Sequence, residues 1–338
     1  MTPSPTFQPP VPWLPQYPIP PSTPQTQIAW LPQQPQYSPD KLVAPLIQPY
    51  QVPLPQRFTY HWPPGPHGPT NAPQTPLSQL LTHLNLTNPN FDISDLNTIL
   101  NHEPLIPLRQ RVRAEQAFNT DEFSSWLTSR GPSQLLIHGD FDRSHPPLIS
   151  GLSFASATLV DTIREHQKGF ISLAYFCGQH AERDDEYAGG MKMVASLIFQ
   201  LLRQCPQLDV AMAGDMQLIQ TGELGCLCNL LARIVRGIPK QTTVVFVIDG
   251  AVHYENRYFE RELVEVVKFV LDLGKHQDNG YSWSSTVKVL VSSPIKTEKV
   301  WREFEDGHGI LEMEGLPVVG DSYSQGLEFG LGDVEGVV

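Results

Sequence analysis

The stretch from residue 134 to residue 154 reads QLLIHGDFDRSHPPLISGLSF, in which an apolar run is followed by a glycine, acids, a histidine and two prolines. A strand and a glycine open the phosphate-binding loop G-x-x-x-x-G-K-[ST], whose backbone amides wrap phosphates and whose lysine contacts their oxygens. Gly139 matches the first glycine of that loop. The second glycine, the lysine and the hydroxyl residue fall on Ser144, His145 and Pro146. The spacing therefore indicates a phosphate-binding loop that lacks most of its binding groups.

These replacements weaken phosphate binding in two ways. His145 is mostly neutral near pH 7, so the fixed positive charge of a lysine is missing, and Pro146 donates no N–H. Asp140 and Asp142 place negative charges where phosphates would lie, and a unit charge at ~4 Å contributes about 4 kcal/mol at an effective dielectric of 20. Arg143, the one cation in the stretch, would offset one of these charges. We therefore expect no tight grip on a nucleotide.

A further acid, Asp249, ends the segment TTVVFVID at 242–249, which has the β-branched and uncharged pattern of a buried strand. An aspartate at this place can hold Mg²⁺, but an acid at the end of a buried strand can equally cap a neighbouring turn. The residual positions of a nucleotide site are therefore predicted to be Gly139, Arg143, His145 and Asp249.

Histidines and cysteines raise the alternative of metal or nucleophilic chemistry. The histidines expected at the edge where the predicted strands end are His138, His145, His180 and His253. Cys226 and Cys228 are spaced C-x-C rather than C-x-x-C and have no matched second pair, so packing thiols are favoured over a zinc site. No G-x-S-x-G elbow occurs in the sequence. We predict no metal site and no catalytic residue, and we keep a metal-dependent enzyme at the histidine-rich edge as an alternative.

The elements that would position these residues alternate between strands and helices. Apolar runs predict strands at 133–139, 169–178, 242–249 and 286–293, and helical spacing of apolar residues predicts helices at 118–130, from 151 onward, and at 191–202, 222–236 and 259–270. Strands that read as near-continuous apolar runs, separated by helices, predict a mostly parallel sheet covered on both faces. The expected fold is therefore a three-layer α/β sandwich, in which ligands bind beyond the carboxyl ends of the strands.

Composition divides the chain into three parts. Residues 1–80 hold 23 of the 33 prolines but three charged side chains, and each proline removes a backbone donor and fixes φ. We therefore predict a disordered Pro/Gln-rich region at 1–85, an α/β domain at 90–315, and a disordered acidic and Gly-rich tail at 316–338. The proline-rich region is a candidate arm for protein partners that recognise extended proline helices. An unstructured leader without a partner is the alternative.

Charge and cysteine content exclude several classes of protein. The formal net charge is −12, so the chain repels phosphate backbones and we expect no nucleic-acid partner. Four cysteines in 338 residues do not make a disulfide framework. The chain does not begin with a signal-peptide pattern, and no apolar run approaches the ~18 residues that span a bilayer. We therefore expect a cytoplasmic, soluble protein with no membrane partner.

The order of the segments resembles that of a known group. FSSWL, LLIHG, LIFQLL, VVFVIDG and KVLVSSP follow one another between about residues 115 and 300. This series resembles the NACHT-like P-loop domain of fungal STAND NTPases, in which VVFVIDG is similar to the Walker B strand and KVLVSSP to the strand that ends in a Thr-Ser-Arg-Pro turn. The resemblance implies a P-loop NTPase-like topology for residues 90–315.

The chain departs from the pattern of that group beyond its altered loop. Val252 and His253 stand where the group carries an acidic pair, so no base is in place to activate a water. The arginine of the turn is missing between Ser293 and Pro294. These gaps imply a degenerate, non-catalytic domain that acts as an interaction or scaffold module without a cofactor. The alternative is an atypical switch that binds ATP or GTP with Mg²⁺ and hydrolyses it weakly or not at all.

Overall fold

The computed structural model describes residues 87–88, 90–166, 168–206, 223–275, 285–304, 309–317, 327 and 329. Every described residue belongs to the unit Pro69–Val338. The Pro/Gln-rich region predicted at 1–85 lies outside the described residues. So does most of the tail predicted at 316–338.

Helices and strands alternate along this unit. The helices are α1 (Phe91–Asn101), α2 (Leu108–Phe118), α3 (Asp121–Thr128), α4 (Gly151–His166), α5 (Gly190–Gln204), α6 (Leu224–Arg236) and α7 (Glu260–Lys275). The strands are β1 (Ser133–His138), β2 (Phe170–Phe176), β3 (Thr243–Asp249), β4 (Thr286–Ser293) and β5 (Ile310–Glu312). Helices α1 and α2 and strand β5 have no counterpart in the sequence prediction.

The strands form one five-stranded parallel sheet in the order β2-β3-β4-β1-β5. Apolar side chains on one face of the sheet pack against α2, α3, α4 and most of α1, and those on the other face pack against α5, α6 and α7. The connection through α4 runs across the sheet from β1 to β2. The steps from β2 to β3 and from β3 to β4 run in the opposite direction. Right-handed crossovers therefore place α4 on one face of the sheet and α5, α6 and α7 on the other. The predicted α/β fold with a parallel sheet between two helical layers is confirmed.

Helix α3 is capped at its amino end and anchored to the sheet near its carboxyl end. The side chain of Thr120 accepts a hydrogen bond from the amide of Phe123 at 3.2 Å, so Thr120 is the N-cap of α3. The indole of Trp126 donates to the carbonyl of Val289 at 3.1 Å. The ammonium of Lys288, on β4, donates to the carbonyl of Trp126 at 2.7 Å, and burial lowers the pKa of Lys288 to about 8.

The outer side of β2 is closed by a side chain rather than by another strand. The Oε1 of Gln200, on α5, accepts from the amide of Ala174 at 2.9 Å, and its Nε2 donates to the carbonyl of the same residue at 2.7 Å. The buried amide group thus replaces a strand partner at the sheet edge, which blocks pairing with another chain there. Among the described helices, none combines the length and the apolar character that crossing a membrane requires.

Candidate functional site

The carboxyl ends of β1 and β4 are the place where an open sheet of this topology would bind a ligand, because the connections that follow these neighbouring strands lead to opposite faces. Here the backbone after β1 is hydrogen bonded to the backbone at the end of β4. The amide of Gly139 donates to the carbonyl of Ser293 at 2.8 Å, and the amide of Phe141 donates to the carbonyl of Pro294 at 3.2 Å. A methyl group at Gly139 would overlap the carbonyl of Pro294. Gly139 is therefore needed for close contact with the protein's own chain.

The loop from 139 to 150 continues across the ends of β2 and β3. The carbonyl of Pro147 accepts a hydrogen bond from Nε2 of His253, which follows β3, at 3.1 Å. The carbonyl of Leu148 lies so close to Gly178, which follows β2, that any side chain at position 178 would overlap it. The loop thus rests on the ends of β2 and β3.

Three amides in the loop and at the start of α4 are bound to protein acceptors. The amide of Ser144 donates to Oδ1 of Asp142 at 2.8 Å, within the loop. At the start of α4, Ser150 and Ser153 bind each other's amides through their hydroxyl groups, both at 3.1 Å. Ser150 is fully buried, so the amino end of α4 is capped by the chain itself. These residues, as they are placed, do not fit a phosphate group.

Asp249 lies at the end of β3 in a buried cluster of hydroxyl groups. Its Oδ1 accepts a hydrogen bond from Ser292 at 2.6 Å, and the Ser153 hydroxyl and the Gly250 amide bind the same carboxylate. The Ser292 hydroxyl also lies 3.2 Å from that of Ser156. Burial raises the pKa of Asp249 to about 6, although the three hydrogen bonds act in the opposite direction.

The contact between Asp249 and Ser153 was not anticipated by the motif register, which assigned the hydroxyl position to Pro146. Gly151, Leu152 and Ser153 carry the spacing G-x-S of the end of the phosphate-loop motif and stand at the start of the helix, as that end of the motif does. Leu152 then occupies the place of the lysine, and it is fully buried. This spacing was the signal in the sequence that would have located the serine.

Arg143 and His145 lie at the outer surface of the loop. Arg143 is 73% exposed and pairs with Glu314 at 3.4 Å, and His145 is 90% exposed and lies 3.9 Å from Asp142. The assignment of both as residual nucleotide-site positions stays a prediction. The structure brings neither of them to Asp249 by a hydrogen bond or an ion pair.

Asp140 is neutralised by a residue that the sequence analysis missed. The guanidinium of Arg113, on α2, donates to Oδ2 of Asp140 through Nε at 3.1 Å and through Nη2 at 2.8 Å. Arg113 also donates to the carbonyls of Met313 and Pro317, and it is 5% exposed. The charge of Asp140 is therefore offset by a buried arginine from outside the loop, and Arg143 pairs with Glu314.

The histidines at this edge have separate partners. His138 Nδ1 lies 3.2 Å from Oε1 of Glu312, and its Nε2 accepts from the amide of Thr297 at 3.3 Å. His180 lies between Asp95 and Asp185, at 2.9 Å and 3.2 Å. Within the described parts of the chain, no group of three or more histidine, cysteine or acidic side chains is arranged to hold a metal ion.

The carboxylate of Glu255 also has a structural role. Glu255 follows β3, two residues after His253. Its two oxygens accept hydrogen bonds from the amides of Glu298, Lys299 and Val300, at 2.5, 2.8 and 2.8 Å. This carboxylate therefore fixes the turn after β4.

We expect the free energy of unfolding to depend on pH because Asp249 is buried. A pKa that rises from 3.8 unfolded to about 6 folded means that the folded state binds the proton more tightly, so the contribution is present below pH 4 and is lost as the pH rises through 6. At about 1.36 kcal/mol per unit, the parent should lose roughly 3 kcal/mol relative to Asp249→Asn between pH 4 and pH 7. Urea unfolding of both proteins across this range measures the difference.

The exposed residue Asp272 provides the control for this measurement. Its side chain is 43% exposed and lies 4.0 Å from Lys275 on the surface of α7, so Asp272→Asn should give a difference that stays within about 1 kcal/mol over the same range. A flat difference for Asp249→Asn as well would contradict the raised pKa of this buried carboxyl group.

Comparison with known proteins gives one family. The family model described as Nephrocystin 3, N-terminal matches residues 113–293, which is just over half of the 338 residues. A search of curated proteins found no match to this chain, and a search of solved structures found none either. The matched range begins at the arginine that binds the loop and ends with the last residue of β4. The chain therefore belongs to the Nephrocystin 3, N-terminal family, a NACHT-like group of NTPase-like domains.

Proposed function

We propose that this chain is a non-catalytic member of its family and works as an interaction or scaffold module without a bound nucleotide. The observation that carries the proposal is the loop from 139 to 150. Hydrogen bonds to protein acceptors are donated by its amides at Gly139, Phe141, Ser144 and Ser150. The backbone of the loop covers the ends of β2 and β3. A nucleotide would have to break these contacts before it could bind.

The chemistry around the loop supports the same conclusion. Leu152 replaces the cation at the start of α4, and it cannot balance phosphate charge. The Asp249 carboxylate is already hydrogen bonded by Ser292, Ser153 and Gly250. His253 follows β3, and its Nε2 donates to the carbonyl of Pro147, so this nitrogen does not take a proton from water.

Protein partners complete the proposal. The proline-rich residues 1–85 are the proposed arm for partner domains that recognise extended proline segments. The net charge of −12 disfavours nucleic acid, and we place the protein in the cytoplasm on composition. This part of the proposal is tested by affinity capture with the full chain and with a chain that lacks residues 1–85.

Nucleotide titration of the full chain is the decisive test of the first part. A ligand at about 100 times its Kd stabilises a folded protein by about 2.7 kcal/mol. We expect ATP or GTP at ~1 mM with Mg²⁺ to change the free energy of unfolding by less than about 0.5 kcal/mol, because the loop has to be opened first. Labelled nucleotide should likewise show no saturable binding in the micromolar range. Micromolar affinity, or phosphate release that depends on Mg²⁺, would end the proposal.

One observation favours a second candidate, an atypical nucleotide switch. Asp249 binds the hydroxyl of Ser153 at the start of α4, which is the pairing that a Mg²⁺ site beside a phosphate loop uses. This candidate predicts nucleotide-dependent stabilisation of the parent that is lost in Asp249→Ala. A metal-dependent enzyme has no comparable support, since the described histidines at this edge are held by separate partners.

A further inference from the structure

Two side chains near the end of the chain pack onto the helical layer. Leu327 and Phe329 are partly buried against the apolar cluster that α2, α3 and α4 form on one face of the sheet. The ring of Phe329 lies 6.1 Å from the rings of both Phe118 and Phe123, measured between centroids. Both residues lie in the stretch 316–338, which is predicted from its composition to be a disordered tail.

The surface that receives Phe329 is formed by elements that are fixed independently of it. Phe118 ends α2 and Phe123 lies in the first turn of α3, and their rings are 4.6 Å apart. Both rings are buried, and Thr120 caps α3 between them. We name Phe118 and Phe123 the α2–α3 aromatic surface. Because its rings also contact one another and the core, this surface does not depend on the tail for its shape.

The spacing of the two tail residues matches an extended peptide. Residues i and i+2 point to the same side of an extended chain, so Leu327 and Phe329 can bind one surface together. Glycines stand directly before and after this short segment, at Gly326 and Gly330. Glycine raises the conformational entropy that a segment loses when it becomes ordered. The glycines beside Leu327 and Phe329 therefore favour reversible binding of these two residues to the surface.

We propose that the α2–α3 aromatic surface is a docking site for an extended peptide segment of the pattern Leu-x-Phe on a partner protein, and that this chain's own Leu327 and Phe329 occupy it in cis until the partner displaces them. The proposal deepens the proposed role as an interaction module, because it names a surface and a class of ligand. It does not use the loop at 139–150, so it stands or falls separately from the nucleotide site.

Competition between the tail and a partner follows from their binding to the same surface. A tethered segment acts at an effective concentration on the order of 1 mM, so a tail with an intrinsic Kd of ~100 µM would lower the apparent affinity of a free peptide by about 10-fold. Both tail residues stay partly exposed, which is consistent with an intrinsic affinity this modest.

The test uses a fluorescent peptide with the sequence of residues 322–332, SYSQGLEFGLG, titrated into the full chain and into the full-length double variant Leu327→Ser/Phe329→Ser. Fluorescence anisotropy should show saturable binding to the double variant, about 10-fold tighter than to the parent, because the variant tail no longer competes. A peptide that carries serine at both anchor positions is the matched control and should not bind. Absence of saturable binding to the double variant overturns the proposal.

Further measurements keep the result interpretable. Phe329→Leu, which keeps an apolar side chain but removes the aromatic contacts, should give an intermediate affinity, and it replaces the double variant if that protein does not fold. Sedimentation of the parent separates cis occupancy from exchange between copies, and dimers that the double variant does not form would overturn the cis arrangement. Peptide binding by a chain that also bound ATP would end the proposed non-catalytic function and leave the docking site intact.

Discussion

Replacing Asp92 by alanine is expected to lower the free energy of unfolding by about 3–5 kcal/mol, because it removes the shared counter-charge of two arginines. Asp92 lies in the first turn of α1 and is 4% exposed. Arg203 binds both of its oxygens, at 3.0 and 2.5 Å, and Arg164 lies 3.3 Å from Oδ2. Breaking a buried pair from one side costs far more than a surface pair contributes, since the remaining charge has lost its water and its partner.

The burial of Arg164 is the reason why we expect Asp92→Ala to lower the free energy of unfolding so much. Burial lowers the pKa of Arg164, and the negative charge of Asp92 is the main effect that opposes it. The same guanidinium donates to Gln200 at 2.9 Å, the residue that closes the edge of β2. Without Asp92, we expect α1 to separate from the sheet and the amides of β2 to exchange with solvent faster. Urea unfolding measures the first effect, and hydrogen exchange measures the second.

A surface pair in the same region provides the control. Glu103 lies 3.1 Å from Arg111, and its side chain is 43% exposed. Glu103→Ala should change the free energy of unfolding by less than about 1 kcal/mol. If Asp92→Ala had an equally small effect, α1 would be an accessory of the domain rather than part of it. That outcome would fit the family match, which begins at residue 113, but not the contacts of α1.

The fold was readable from sequence where side-chain pattern and burial agree. Strands β1 to β4 are runs of mostly apolar residues, rich in β-branched residues in β3 and β4, and burial on both faces of a parallel sheet selects for such runs. Helix α2 was missed because its sequence, LRQRVRAEQAF, turns the charged Arg113 toward the interior. Strand β5 has three residues, which is too short for an alternating pattern to be distinguished from a loop.

The candidate site was predicted in part. Gly139 and Asp249 were identified because each follows or ends a recognisable strand, and parallel strands bring their carboxyl ends to one edge. The partner of Asp140 could not be found in the same way, since Arg113 is 27 residues away and lies on a helix that the pattern did not reveal. Nor does sequence show that the loop binds its own sheet. That depends on contacts with His253 and Gly178, which belong to other connections.

Replacing Arg113 by methionine is expected to have an effect as large as that of Asp92→Ala, about 3–5 kcal/mol. Methionine keeps much of the volume but donates no hydrogen bond, so Asp140 loses its counter-charge and the carbonyls of Met313 and Pro317 lose their donor. Arg143→Met is the matched control. Arg143 pairs with Glu314, and both side chains are more than two-thirds exposed, so its loss should change the stability by less than about 1 kcal/mol.

The position of Arg113 also predicts where the damage appears. Its guanidinium joins α2, the start of the loop and the residues after β5, so Arg113→Met should raise hydrogen exchange at 139–141 and 313–317 more than in the strands of the sheet. If the substitution acted only through the smaller side-chain volume, hydrogen exchange would rise around α2 alone. The same contact explains how the loop tolerates a negative charge at Asp140. The negative charge of Asp140 pairs with Arg113, and this ion pair holds the start of the loop in place.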